Sequence, residues 1–348
     1  MEFEDEEQAE MEPMEASFDM TKLQAKDART SSIPDVVYNV KEVFGIDLDW
    51  EVPGFKADHP SVPPIDPTYQ FDPDTTAAIL AGFAFEARVM VQGYHGTGKS
   101  THIEQVAARL KWPTVRINLD GQLSRDDFLG HEVNVIKEGK EMTEFREGIL
   151  PWSMKNPTAL IFDEYDAAPP ELMMAIQRML EADGRLVLVE QNMVVRPHPA
   201  FRMFATGNTL GLADDDSSSY SGVERINNAQ LDRWTILATL NYLPAESERN
   251  IMIAKYPELD NPEGREIVDD MIALANKTRQ AYIKGEMKTL MSPRTIINWL
   301  QNEKIFDDRA RAFRLTYLNK CYAKEREVVA SFYEECMGEK LTFQSLVN

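Results

Sequence analysis

The sequence predicts an α/β protein: a parallel sheet covered on both faces, decorated with hairpin inserts and followed by an α-helical domain. Three observations carry this. Between residues 74 and 242 short apolar runs alternate with amphipathic ones, as buried parallel strands and their covering helices do. After residue 243 only helix-periodic stretches remain. Between the first strand and helix of the α/β part lies a glycine-rich turn, "GYHGTGKS".

Residues 1–35 are acidic, rich in Met and Ser, and poor in aliphatics, so a disordered tail is expected. Residues 36–73 join a short apolar stretch to a segment whose prolines at 53, 60, 63, 64, 67 and 73 rule out regular helix; an extended segment lying on the main domain is expected. In the core, 74–242, "DTTAAILAGFAFEA" has helical spacing, with Asp74 or Thr75 as N-cap. "RVMVQGY" reads as a strand, "KSTHIEQVAARLK" as a helix, "PTVRINLD" and "TALIFDEYD" as strands. "PPELMMAIQRMLEA" opens a helix on proline, and "FRMFATGNT" is a further buried strand. Residues 130–150 and 184–197 read as hairpins, turning near Glu138-Gly139 and Gln191-Asn192. The region 243–348 reads as helices, the last of them the stretch 309–338.

Bulk properties narrow the function classes. The chain has 348 residues and a formal net charge of −21. That balance argues against a nucleic-acid partner, whose binders carry a basic footprint. No apolar run approaches the roughly 18 residues of a membrane span. The N-terminus has no apolar core and is no secretory signal, so a cytoplasmic protein is expected. Two cysteines and five scattered histidines form no metal-ligand pattern and read as reduced thiols and ordinary side chains.

The turn fits G-x-x-x-x-G-K-[ST] at every fixed position. Glycines free the backbone to turn its amides inward, and with the following helix N-terminus those amides make an anion nest. The expected ATP-binding residues are Gly93, Tyr94, His95, Gly96, Thr97, Gly98, Lys99, Ser100 and Thr101. Lys99 would reach the β- and γ-phosphates, and Ser100 would ligate Mg²⁺. In "ALIFDEYD" Asp163 would hold the metal through water, and Glu164 would polarise the attacking water. Asp166 reads as a cap for the next segment. Asn208, just past a strand, would orient the water or the γ-phosphate. Two arginines could stabilise the transition state: Arg233 in "QLDRWTI" and Arg294 in "SPRT", where Ser292 and Pro293 suit a helix start. On the residues alone, either is equally a structural ion-pair residue.

The order of these elements resembles the AAA+ ATPases, and the paired inserts resemble the clade of MoxR-type and magnesium-chelatase ATPases. "GYHGTGKSTHIEQVAARL", "ILPWSM", "IFDEYDA", "RPHPAFRMFATGNT", "QLDRWTI", "LNYLP" and "MSPRT" together resemble the CobS subunits of aerobic cobaltochelatase, from about residue 40 to about residue 338. The resemblance implies an ATP-driven, Mg²⁺-dependent ring of six subunits. Its implied partners are a subunit with a von Willebrand factor A domain and a large corrin-binding subunit, with Co²⁺ inserted into hydrogenobyrinate a,c-diamide. It implies that Arg233 is the finger reaching a neighbour's γ-phosphate, that Arg294 is the lid arginine, and that 243–348 is the lid. The acidic tail and the stretch 212–224 depart from the family pattern. The readings still open are a remodelling ATPase of MoxR type acting on another von Willebrand partner, a nucleic-acid motor, and a non-catalytic nucleotide scaffold.

Overall fold

The computed structural model describes residues 33–119, 123–137, 140–181, 184–188, 191–208 and 228–341. Nearly all of the expected acidic tail, the Glu138-Gly139 turn and the stretch 212–224 lie outside them.

Five parallel strands form the central sheet in the order β11-β3-β10-β7-β4. They are β3 (Val89–Gln92), β4 (Thr114–Asn118), β7 (Ala159–Asp163), β10 (Arg202–Gly207) and β11 (Ile236–Thr239). The inner strands β3, β7 and β10 are buried along their whole length, which is why they read as unbroken apolar runs. The edge strands β4 and β11 alternate in exposure instead. The register sets Phe204 beside both Val89 and Ile161, so all three inner strands end together at one edge. Apolar clusters cover both faces of the sheet. One is built around Phe83, Trp112 and Phe204, the other around Phe162, Tyr165 and Ile176.

At the N-terminal side β1 (Val36–Asn39) pairs antiparallel with β2 (Glu51–Gly54) around helix α1 (Val40–Phe44). The Phe55 amide donates to Leu110 O at 3.0 Å. A Cβ on Gly54 would lie 2.5 Å from that same oxygen, so only glycine allows the approach. The proline-rich segment then runs along helix α3 (Lys99–Arg109): Gln105 donates to Pro64 O and accepts from the Asp66 amide, and Arg109 donates to Asp66 O. Helix α2 (Pro73–Phe85) is capped by Asp72, which accepts from the Thr75 amide at 2.9 Å. The expected cap at Asp74 or Thr75 is thus displaced: Pro73, at the first helical position, leaves Asp72 as the residue with extended backbone.

After helix α4 (Arg125–Leu129) the first insert is the hairpin β5 (Gly130–Lys137) and β6 (Lys140–Glu147). Helices α5 (Ile149–Lys155) and α6 (Pro170–Met179) flank β7. The second hairpin pairs β8 (Leu186–Leu188) with β9 (Met193–Val195), and Asn192 takes the left-handed backbone of a tight turn, φ 48°. Helix α7 (Asn228–Leu231) precedes β11. Beyond it come α8 (Ala245–Lys255), α9 (Pro262–Ile283), α10 (Pro293–Phe306), α11 (Arg309–Thr316) and α12 (Arg326–Met337), which share a separate core around Trp299, Phe313 and Tyr333. The expected single long C-terminal helix is broken between α11 and α12. There Tyr317, Leu318 and Cys321 all turn into that core, and the Tyr317 hydroxyl donates to Thr289 O at 3.0 Å. The helix ends at Tyr317, whose backbone leaves the helical region at φ −128°, ψ −55°.

His102 is a test of this packing. It is 1% exposed, lies 2.7 Å from the Thr76 hydroxyl, and meets the ring edges of Tyr69 and Phe71. Burial pulls its imidazole from 6.5 down to about 4. The unfolded chain then binds more protons between those values, so stability is full above pH 6.5 and falls as pH drops toward 4. A loss of about 3 kcal/mol from this group alone is expected over that range. Urea denaturation at a series of pH values should show this limb, and His102→Gln should flatten it; an unchanged limb would refute the assignment.

Candidate nucleotide site

The shared edge of the inner strands brings three sequence-distant segments together. Gly93 follows β3, Asp163 ends β7, and Asn208 follows β10. The turn from Gly93 to Gly98 crosses this edge and enters α3, with Gly98 as N-cap in left-handed backbone, φ 88°. Gly96 is likewise at φ 73°, and a Cβ there would lie 2.5 Å from the Ser292 Cβ. Both positions therefore require glycine.

Within the turn Lys99 is 7% exposed and donates to Gly93 O, Tyr94 O and Asn208 Oδ1, each at 2.9 Å. Burial pulls its ammonium down to about 8, against the opposing pull of Asp163, Asp166 and Glu164. Thr97 donates to Tyr94 O, and Tyr242 donates to His95 O at 3.2 Å. Burial first, then Lys99 and Arg294, lower the His95 imidazole. Thr101 lies in the first turn of α3. The carbonyls of residues 93–95 are thus tied by Lys99 and Tyr242, and a glycine-rich turn of this kind can present its free amides to an anion.

Asp163 is the most heavily bonded acid of the group. Its Oδ1 accepts from Ser100 Oγ at 2.5 Å and from Thr206 Oγ1; its Oδ2 accepts from Arg116 through both Nε and Nη2. Burial would raise this carboxyl, yet the two hydroxyls and the guanidinium together hold it below the ordinary value. Ser100 and Asp163 thus present hard oxygen donors side by side, the chemistry Mg²⁺ takes. Glu164 follows in left-handed backbone, φ 56°, with its amide donating to Thr206 Oγ1 at 3.3 Å. Such backbone in a non-glycine residue is strained and clusters at functional sites. Asn208 is held from behind, its amide donating to Asp166 Oδ2 at 2.9 Å.

Sequence reading missed three of these contacts. Asp166 orients Asn208; the next helix, α6, has no side-chain cap. Thr206 shares a strand face with Asn208 by the alternation of β10, a signal that was available. Arg116, on edge strand β4, lies on the exposed face between buried Val115 and Ile117, where it reads as an ordinary solvated position.

The two arginines lie apart. Arg294 sits in the first turn of α10, where Ser292 caps by accepting from the Thr295 amide and Pro293 takes the first position. It is close enough to act electrostatically on both His95 and Lys99. Arg233 precedes β11, on the side of the strands' amino ends. There it pairs with Glu181 at 3.2 Å and donates to Ala229 O, while Arg88 donates to the Glu181 carbonyl. The parallel pairing of β11 with β3 sets it across the sheet from the Gly93 turn of its own chain. Among the described residues no group of three or more His, Cys, Asp or Glu could hold a metal ion, and no helix is long and apolar enough to cross a membrane.

Comparison with known proteins agrees with this geometry. Residues 88–250 match the family "AAA domain (dynein-related subfamily)", and residues 29–60 match "Cobaltochelatase CobS subunit N terminal". The chain is 54% identical over 315 residues to the aerobic cobaltochelatase subunit CobS of a Sinorhizobium species, covering 90% of this chain and 95% of that one. The chain belongs to the CobS family. As a CobS-family member it is an AAA+ ATPase, and the fold class expected from the sequence holds. Midasin of Dictyostelium discoideum is 33% identical over 157 residues, 43% of this chain but 3% of midasin. Among solved structures, closed Hsp104 with ATPγS and casein aligns at a TM-score of 0.38 and 20% identity, over 50% of this chain and 32% of that one. At that score the likeness adds nothing to the fold read from the sheet itself.

Thr206 yields a prediction that neither nucleotide motif contains. Thr206→Val keeps the volume but strands the Glu164 amide and removes one donor from Asp163. The protein should fold with a loss of about 1–3 kcal/mol, and kcat for ATP should fall at least about tenfold. Steady-state ATPase assays beside denaturation curves check this; wild-type kcat in a folded Thr206→Val protein would remove Thr206 from the site.

Proposed function

We propose that this chain is the ATP-hydrolysing motor subunit of an aerobic cobaltochelatase. The supporting observation is the end-to-end match to a CobS subunit combined with an unbroken set of nucleotide-handling side chains, Lys99, Ser100, Asp163, Glu164 and Asn208. In this reading 74–242 is the ATPase core, 243–348 the lid, and 36–73 an N-terminal segment bound to the core. Six copies form a ring in the cytoplasm. The ring works on a von Willebrand factor A subunit and a large corrin-binding subunit, and Co²⁺ and hydrogenobyrinate a,c-diamide are substrates of the assembly.

The geometry supports the following chemistry at the site. The amides that follow Gly93, up to Ser100, bind phosphate oxygens, and Lys99 exchanges its carbonyl partners for the β- and γ-phosphates. Ser100 and Asp163 would hold Mg²⁺, which neutralises charge on those phosphates when bound. Glu164 accepts the proton of the attacking water, and Asn208, fixed by Asp166 and Lys99, orients that water. Arg294 closes on the γ-phosphate from the lid. Arg233 lies across the sheet from its own site, so it serves the site of an adjacent copy. Such a finger contributes about 10³ to 10⁵ in rate, or about 4–7 kcal/mol.

Three experiments test the reading. Glu164→Gln should bind MgATP as tightly as wild type and hydrolyse it at least about a hundredfold more slowly. Rings mixed from Glu164→Gln and Arg233→Ala subunits should regain activity that neither has alone; no recovery in rings shown to be mixed would place Arg233 outside a neighbour's site. In reconstitution, this chain alone should hydrolyse ATP and insert no Co²⁺. With the corrin-binding and von Willebrand subunits, insertion should require ATP and fail with Arg294→Ala. Insertion by the other two subunits without this chain would overturn the chelatase assignment in favour of a remodelling ATPase of MoxR type.

A further inference from the structure

The helical region contains a buried ion pair that the hydrolytic chemistry does not use. Arg279, on α9, and Glu248, on α8, are 5% and 0% exposed, bonded at 2.9 and 3.2 Å through two nitrogens and two oxygens. Burying two charges stabilises a fold poorly compared with apolar packing, so its other contacts bear on why it is there. The Arg279 guanidinium lies over the Tyr242 ring, 4.0 Å from the centroid. Tyr242 stacks parallel to Tyr94 of the phosphate turn, at 6.0 Å and 6°, and its hydroxyl donates to His95 O. Arg279 also donates through Nε to Met291 O at 2.9 Å, and the Met291 amide donates to the neighbouring Thr278 hydroxyl. The next residue, Ser292, is the one that packs against Gly96. Two routes therefore leave one guanidinium and end on consecutive residues of the turn, 94–95 and 96.

We propose that Arg279 is a positioning residue for the nucleotide site. It fixes the backbone of residues 94–96 from the helical region, through Tyr242 on one side and the Met291–Ser292 segment on the other. The turn is thereby held in its binding conformation before nucleotide arrives. Loss of this support lowers the fraction of protein competent to bind, so apparent affinity falls by that fraction. Because the support acts on the nest rather than on the γ-phosphate, ADP and ATP are affected alike. KM rises while kcat changes little, the signature of lost uniform binding.

This inference rests on the phosphate-turn reading, and Lys99→Ala keeps the two separable. Binding of a fluorescent ADP analogue and thermal melting are measured on full-length protein. The neutral pair Glu248→Gln with Arg279→Gln avoids a stranded buried charge. It should melt within a few degrees of wild type while the ADP Kd rises about tenfold and kcat stays within about threefold. Arg279→Lys, which keeps the charge but loses the planar surface and Nε, should fall between the neutral pair and wild type. Tyr242→Leu, which leaves the ion pair intact, should raise Kd similarly, and adding it to the neutral pair should cost little more, because contacts on one path are not additive. Unchanged Kd in the folded neutral pair and in Tyr242→Leu, with Lys99→Ala weakening binding, would overturn the proposal and leave the turn reading standing. If the neutral pair does not fold, Tyr242→Leu decides alone. Full additivity would put Arg279 and Tyr242 on separate paths and also overturn it. Unchanged binding in Lys99→Ala would instead sink the turn reading.

Discussion

The carboxylate of Asp163 sits at the tip of a fully buried strand, where an uncompensated charge would cost several kcal/mol. Its compensation comes from three other elements: Ser100 from α3, Thr206 from β10 and Arg116 from β4. None of these partners can be in place unless β4, β7 and β10 are parallel neighbours in their observed register. The sheet order and the chemistry are thus one constraint seen twice. Any slip of β10 by a residue would turn Thr206 away from Asp163 and send Asn208 to the wrong face. The demand for a satisfied acid also fixes Glu164, whose amide shares the Thr206 hydroxyl and whose backbone is held left-handed as a result.

The same logic extends outward from the strand edge. Asp166 is 3% exposed and binds the Asn208 amide, while Asn208 accepts from Lys99, which in turn holds the carbonyls of the phosphate turn. On the far side the turn meets the helical region at Gly96–Ser292 and at Tyr94–Tyr242. The site therefore lies between two cores with separate hydrophobic clusters, and its backbone is gripped by both. A cleft gripped from two bodies is where a bound ligand exerts the greatest leverage on their relative placement.

How much of this was legible in the sequence depends on how local each feature is. The phosphate turn is eight consecutive residues, so its backbone requirements are written as glycines in fixed order. Strands β3, β7 and β10 are buried on both faces, so burial alone marks them. Pairings across the sheet are different. Arg116 and Asp163 are 47 positions apart and Thr206 and Asp163 43, and nothing in either local pattern names the partner. Asp166 was misread for the same reason: a carboxylate before a helix is an ordinary cap, and only the neighbouring strand shows that it is committed to Asn208. The break after Thr316 escaped because no glycine or proline marks it; Tyr317, Leu318 and Cys321 are core residues on either reading.

Arg233 brings these threads together. It lies at the amino ends of the strands, beside Arg88 and Glu181, whereas Glu164 lies at their carboxyl ends. Yet the residues that follow them, Trp234 and Tyr165, meet edge-on at 5.3 Å in the cluster beneath the sheet. The Tyr165 and Trp234 side chains are both buried, at 0% and 4% exposure. The residues next to Glu164 and Arg233 are therefore in contact although the two side chains lie at opposite ends of the strands. If Arg233 serves an adjacent copy, as proposed, this aromatic contact lies between the site a subunit owns and the site it completes.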